Sequence, residues 1–133
     1  MMPRSKGHTL IELLIGSSLL ATVTAMTIPG VAGIIHANQR TDGQLLLLQA
    51  AKRQKEHLIY HYRFAKDAGE LGYVMPYSPD GHYRLDVVAG NQGRYLMRAI
   101  PTRAQMADYN CGYLQIDERG RRSSEHGGEN CWR

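Results

Sequence analysis

The sequence predicts an α+β fold. It has one long N-terminal helix whose first half is hydrophobic, a small antiparallel sheet packed on the helix's second half, and a C-terminal loop bounded by a disulfide. Three observations lead there. An uncharged run of 23 residues, Leu13–Ile35, follows two basic residues, Arg4 and Lys6. A helical period extends to about residue 70, after which period-two segments replace it. The two cysteines, Cys111 and Cys131, both lie in the last quarter of the chain.

A length of 133 residues suffices for one globular domain. Sixteen Lys and Arg against twelve Asp and Glu give a formal charge of +4. Loss of a leader holding Arg4 and Lys6 leaves +2, a weak basis for a polyanionic partner.

The run Leu13–Ile35 is long enough as a helix, at about 1.5 Å per residue, to cross a bilayer core of roughly 30 Å. Basic residues before it place the extreme N-terminus in the cytoplasm. Two simpler readings compete: a cleaved secretory signal ending at VAG (31–33), and a plain single-span anchor. Neither assigns a task to Glu12, a carboxylate at the entrance of the run, which in lipid costs about 3 kcal/mol unless paired or at the interface. Ser17, Ser18, Thr22, Thr24 and Thr27 are compatible with the run if their hydroxyls bond back to helix carbonyls.

The segment KGHTLIEL (6–13) resembles the N-terminal signature of type IV pilins and pseudopilins: a short basic leader ending in Gly, then FTLIEL. The resemblance implies cleavage of Gly7–His8 by a prepilin peptidase and methylation of the new amine. It makes Glu12 an assembly residue, neutralising the N-terminal amine of an adjacent subunit. His8 stands where the family usually has Phe. Pro29 and Gly30 are expected to break or kink the helix, and by resemblance residues 21–30 lose helicity in the filament. The implied organisation is a leader at 1–7, a hydrophobic transmembrane and assembly helix at 8–35, and a globular pilin domain at 36–133.

Beyond residue 35, Leu47, Ala51, Leu58, Tyr62 and Ala65 share one face of a helix expected over 39–70, with a stop at AGELG (68–72). Strands are expected in HYRLDVVAG (82–90), RYLMRAI (94–100) and CGYLQIDE (111–118), the first two joined by NQG at 91–93. The polar stretch RGRRSSEHGGEN is read as a tail that builds no core. An even cysteine pair behind an export-like N-terminus points to a Cys111–Cys131 disulfide, worth about 3 kcal/mol for a loop of roughly 20 residues. Two free buried thiols are the alternative. QAAKRQKEHLIYHY, CGYLQID and the terminal CW resemble minor pilins of the PilE type.

Three clusters raise the question of a site. His57 and His61 stand at i, i+4, but no third metal ligand accompanies them. Ser123, Ser124, Glu125 and His126 are neighbours in a Gly-flanked segment without the rigid scaffold that a nucleophile requires. Arg119, Arg121 and Arg122, with Arg94, Arg98, Arg103 and Arg133 and beside Tyr113 and Trp132, form a possible DNA track. The reading is therefore a non-enzymatic, cofactor-free subunit of a type IV pilus, of the minor kind. It serves pilus biogenesis, twitching motility, adhesion or DNA uptake. Its partners are other pilin subunits, the pilus assembly machinery and prepilin peptidase. It sits in the bacterial inner membrane before assembly and in the periplasmic and cell-surface pilus afterwards. A pseudopilin of type II secretion and a DNA-binding minor pilin are the alternatives.

Overall fold

The computed structural model describes residues 7–133 except 104, 106, 107, 109 and 129, and it does not describe the side chains at 23–30 and 32. Helix α1 spans Leu10–His61. It is followed by β1 (Tyr83–Ala89), β2 (Tyr95–Pro101), β3 (Leu114–Asp117) and β4 (Arg122–Ser124). The chain divides into two compact units, Met1–Ile35 and His36–Arg133.

In the first unit, Thr9 precedes the helix and its carbonyl accepts the N–H groups of Glu12 and Leu13. Ser17, Ser18 and Thr22 donate their hydroxyls to the carbonyls of Leu14, Ile15 and Leu19 at 3.0, 2.9 and 2.8 Å, as expected for polar residues in an apolar helix. Thr24 and Thr27 lie outside the described side chains. Leu10, Ile11, Leu13, Leu14, Ile15, Leu19 and Leu20 are all exposed, Leu10 at 78%. A helix apolar on every side is one that another apolar medium or other helices must cover. Among the described residues no helix is long and apolar enough to cross a membrane, and the run Leu13–Ile35 includes the side chains left undescribed. The helical assignment passes through Pro29 and Gly30 without interruption.

In the second unit, the helix buries Arg40, Gly43, Leu47, Ala50, Gln54 and His57, at alternating spacings of three and four. This corrects the expected face: Leu47 lies on it, whereas Leu58 is exposed and Tyr62 is 91% exposed. Four of these six are polar or glycine, so an apolar period could not reveal the stripe. Gly43 is required there, because a Cβ would meet the Tyr83 ring at 2.8 Å.

The helix also stops at His61 rather than near residue 70. Tyr62 turns into the left-handed region at φ 56°. Buried Gln54 then takes over both backbone groups of Ala65, accepting its N–H at 2.9 Å and donating to its carbonyl at 3.1 Å. His57 Nδ1 lies 2.9 Å from the Arg63 carbonyl and adds a second tie. Replacing Gln54 with Leu strands two buried backbone groups. The expected loss, about 2 kcal/mol, is read by chemical denaturation as a lower midpoint with unchanged slope.

The sheet is an antiparallel meander in the order β1-β2-β3-β4. The register aligns Leu85 with Ala99 and Ala99 with Leu114, and Val87 with Met97 and Met97 with Ile116. These two rows form the inner face and share one buried cluster with Leu46, Leu47 and Ala50 of α1. Strand β4 was not expected: Gln115 pairs with Ser123 and Ile116 with Arg122, so the polar tail extends the sheet. A solvent-facing edge strand needs no apolar residues, and hydropathy therefore missed it. Cys111 and Cys131 form a disulfide with Cα atoms 5.7 Å apart.

Candidate functional site

The β3–β4 turn presents the arginines singled out in the sequence. Asp117 organises it. Its Oδ1 accepts the N–H groups of Arg119 and Arg121 at 3.0 and 2.9 Å, and its Oδ2 accepts Arg121 Nε at 2.6 Å. Gly120, at φ 77°, closes the turn by donating its N–H to the Asp117 carbonyl. Partial burial works to raise the Asp117 pKa, but these donors and the Arg121 charge outweigh it and hold the carboxyl below its usual value.

Arg119 Nε lies 3.9 Å from Glu118. The Arg122 guanidinium stands 5.4 Å from the centre of the Trp132 ring, whose Nε1 donates to the Ser123 carbonyl at 2.8 Å. Gln44 on α1 donates to the Cys131 carbonyl at 2.9 Å, so the disulfide loop is tied to the helix beside Trp132.

Arg94, Arg119, Arg121 and Arg122 line one open groove of about 700 Å³ on the outer side of the sheet, with Asp117 and Glu118 as the carboxylates. A second hollow of about 390 Å³ lies across the same turn, where Lys52 and Lys55 of α1 join Arg119 and Arg122. These lysines were not among the expected contacts, because only the fold brings helix and turn together. Arg98 instead covers Tyr113 at 5.3 Å. Neither Arg98, Arg103 nor Arg133 lines the groove.

The other candidates separate. The His57 and His61 rings stack with centroids 4.3 Å apart, and His57 Nδ1 faces the Arg63 carbonyl rather than a shared ion. Ser123 Oγ accepts from Gln115 at 2.8 Å, while His126 approaches Glu125 at 3.9 Å, so serine and histidine are not coupled.

At the N-terminal end, Glu12 Oε2 accepts the Thr9 N–H at 3.2 Å and lies 3.4 Å from His8 Nδ1. With the helix starting at Leu10, this is the return half of a capping box, which the pattern TLIE already encodes. Most of the expected leader, residues 1–6, lies outside the described residues.

The long helix, the four-stranded antiparallel sheet against its second half and the C-terminal disulfide define a type IV pilin. A solved type IV pilin from Shewanella oneidensis shares that fold, at 23% identity and a TM-score of 0.56, over 74% of this chain and 98% of its own. Residues 2–28 match the prokaryotic N-terminal methylation motif. Residues 32–115, more than half of the chain, match the family described as type IV minor pilin ComP, DNA uptake sequence receptor, and the chain belongs to that family. No curated relative matches it. The protein is a minor pilin subunit, and its family and fold are structural rather than enzymatic.

Proposed function

We propose that this minor pilin binds DNA during uptake through the arginine groove and the β3–β4 turn. The carrying observation is that four arginines converge on one groove in a chain whose family is described as a DNA uptake sequence receptor. Arg119 and Arg122 supply the phosphate contacts, because Arg121 is held by Asp117 at 2.6 Å whereas Arg119 lies 3.9 Å from Glu118, a pair loose enough to open. Lys52 and Lys55 extend the positive track across the turn. In a titration of duplex DNA at several salt concentrations, the chain with Arg119→Ala and Arg122→Ala is expected to show a salt slope shallower by about two, one unit for each lost phosphate contact. Arg121→Ala changes it less. An unchanged slope in the double variant sinks this assignment.

The assembly reading accompanies it. The chain is cut between Gly7 and His8 by prepilin peptidase and methylated at the His8 amine. It waits in the inner membrane as a single span with its N-terminus cytoplasmic. On extraction into the pilus, Glu12 exchanges its own Thr9 N–H for the amine of an adjacent subunit. Pro29 and Gly30 allow residues 21–30 to unwind there. The exposed apolar side chains on every side of the helix at 10–20 support this packing. Mass spectrometry of the native protein is expected to find a chain starting at His8 with one added methyl group. A start near Ile34 removes both the Glu12 contact and the membrane anchor from the mature protein.

A further inference from the structure

Asp42 projects from α1 and is 5% exposed. It meets the loop that leads into β1. Its Oδ2 accepts the Ser78 hydroxyl in a short hydrogen bond and the His82 N–H at 3.3 Å, while Oδ1 accepts the Asp80 N–H at 3.2 Å. These bonds hold the carboxylate in one orientation and wrap the loop around it. The His82 ring is turned inward, with Nδ1 only 3.4 Å from Asp42 Oδ2. That nitrogen is buried and has no hydrogen-bond partner. One donor atom from each of Asp42, Asp80 and His82 lies within 4.8 Å of the others.

An imidazole lone pair does not rest against a carboxylate oxygen unless a proton or a cation stands between them. The separation fits a cation. Metal–nitrogen and metal–oxygen bonds of about 2.0–2.2 Å place adjacent donors of a tetrahedral site roughly 3.3–3.6 Å apart. The His82–Asp42 separation, 3.4 Å, falls in that range without movement of either residue. Asp80 is exposed, so its carboxylate is free to swing in and complete three protein ligands.

We propose that Asp42, Asp80 and His82 form a site for one divalent transition-metal ion of the zinc class, with an open fourth position. One imidazole and two carboxylates suit zinc, cobalt or nickel better than magnesium or calcium, which favour all-oxygen shells. The Ser78 hydroxyl and the loop N–H groups act as the outer shell that orients Asp42. A bound ion clips the second half of α1 to the entry of β1. The site is separate from the arginine groove, and the proposal stands whether or not the chain binds DNA.

The test is a titration of Co²⁺ alone into the detergent-solubilised full chain, followed by its visible absorption. The expected result is one Co²⁺ per chain with the intense band of a four-coordinate site, and zinc displacing it. Asp80→Asn and His82→Gln each weaken uptake by at least about a hundredfold, the upper end of what loss of an outer-shell partner costs. Asp80→Asn touches an exposed residue and keeps the fold, which the metal-free melting curve verifies. Absence of Co²⁺ uptake overturns the proposal and leaves a proton shared between His82 and Asp42. Uptake equally strong in both variants, or abolished only by replacing His57 and His61, also overturns it.

Discussion

Arg40→Met is expected to destabilise the globular unit by about 3–5 kcal/mol, because it leaves the Asp108 carboxylate buried without its partner. The two side chains, 11% and 2% exposed, form a bidentate pair: Arg40 Nε donates to Asp108 Oδ2 at 2.6 Å and Nη2 to Oδ1 at 2.7 Å. Gln105 donates to the same carboxylate at 3.3 Å and to the His36 carbonyl at 3.3 Å, a weaker tie that does not replace a cation. The pair fastens the β2–β3 connection to the helix. Its loss therefore loosens a long loop as well as removing a contact. Urea denaturation checks the magnitude. The double variant Arg40→Met with Asp108→Leu removes both charges and recovers most of the loss, since two apolar residues carry no desolvation cost. A double variant as unstable as the single one means that packing, not charge, is at stake.

The pair also sets an acid limit. Burial works to raise the Asp108 pKa, but the hydrogen bonds and charge of Arg40 outweigh it, so the folded value lies below the ordinary one. A depressed folded pKa means that the unfolded chain binds the proton first. The pair's contribution is complete above the unfolded carboxylate value, near pH 4, and is lost as pH falls through the folded value. In Arg40→Met only burial and minor contacts remain to set the Asp108 pKa, and burial raises it, so the sign reverses: the variant is expected to gain stability as acid protonates the stranded carboxyl, where the parent loses it.

The second large effect concerns the Cys111–Cys131 bridge, which closes a separation of 20 residues. Replacing both cysteines with Ala is expected to cost about 3 kcal/mol, within the usual 2–5 for a native bridge. The consequence for the site is larger than the global number suggests. The bridge holds Trp132 beside Arg122, and the Trp132 indole caps the Ser123 carbonyl of the edge strand. Calorimetry of the oxidised and reduced protein checks the stability loss. DNA titration at a temperature where both forms remain folded is expected to show weaker binding for the reduced form. Equal binding by both forms removes Trp132 and the edge strand from the interface.

Much of this architecture is legible in the chain because it rests on composition over long stretches. An uncharged run behind basic residues, alternating apolar positions in β1 and β2, and two cysteines in the last quarter need no partner to be recognised. The elements that escaped have a common cause. The helix stop at His61 depends on a side-chain amide, Gln54, taking the place of continued helical bonds at Ala65. Strand β4 is polar because it lies at an edge, and the buried face of the helix contains Arg40, Gln54 and His57 because each has a hydrogen-bonding partner beyond the helix end. A period in hydropathy cannot register residues whose burial is paid for by specific hydrogen bonds.

The site divides the same way. KGHTLIEL carries its meaning locally: a cleavable leader, a capping box and a glutamate at the head of an apolar helix are properties of adjacent residues. The three arginines were visible as a run, yet their standing was not. Only the folded turn distinguishes Arg121, bonded to Asp117 at 2.6 Å, from Arg119, 3.9 Å from Glu118, and Arg122, beside Trp132, and only helix packing brings Lys52 and Lys55 to the same track. Asp42 and His82, forty positions apart, carry no shared signal in the chain at all. By itself the sequence determined the family this protein belongs to, because the apolar helix and the N-terminal methylation motif are encoded in short-range pattern. Tertiary structure alone decided which charges are tightly paired and which loosely, because electrostatic pairing depends on distance in space and not along the chain.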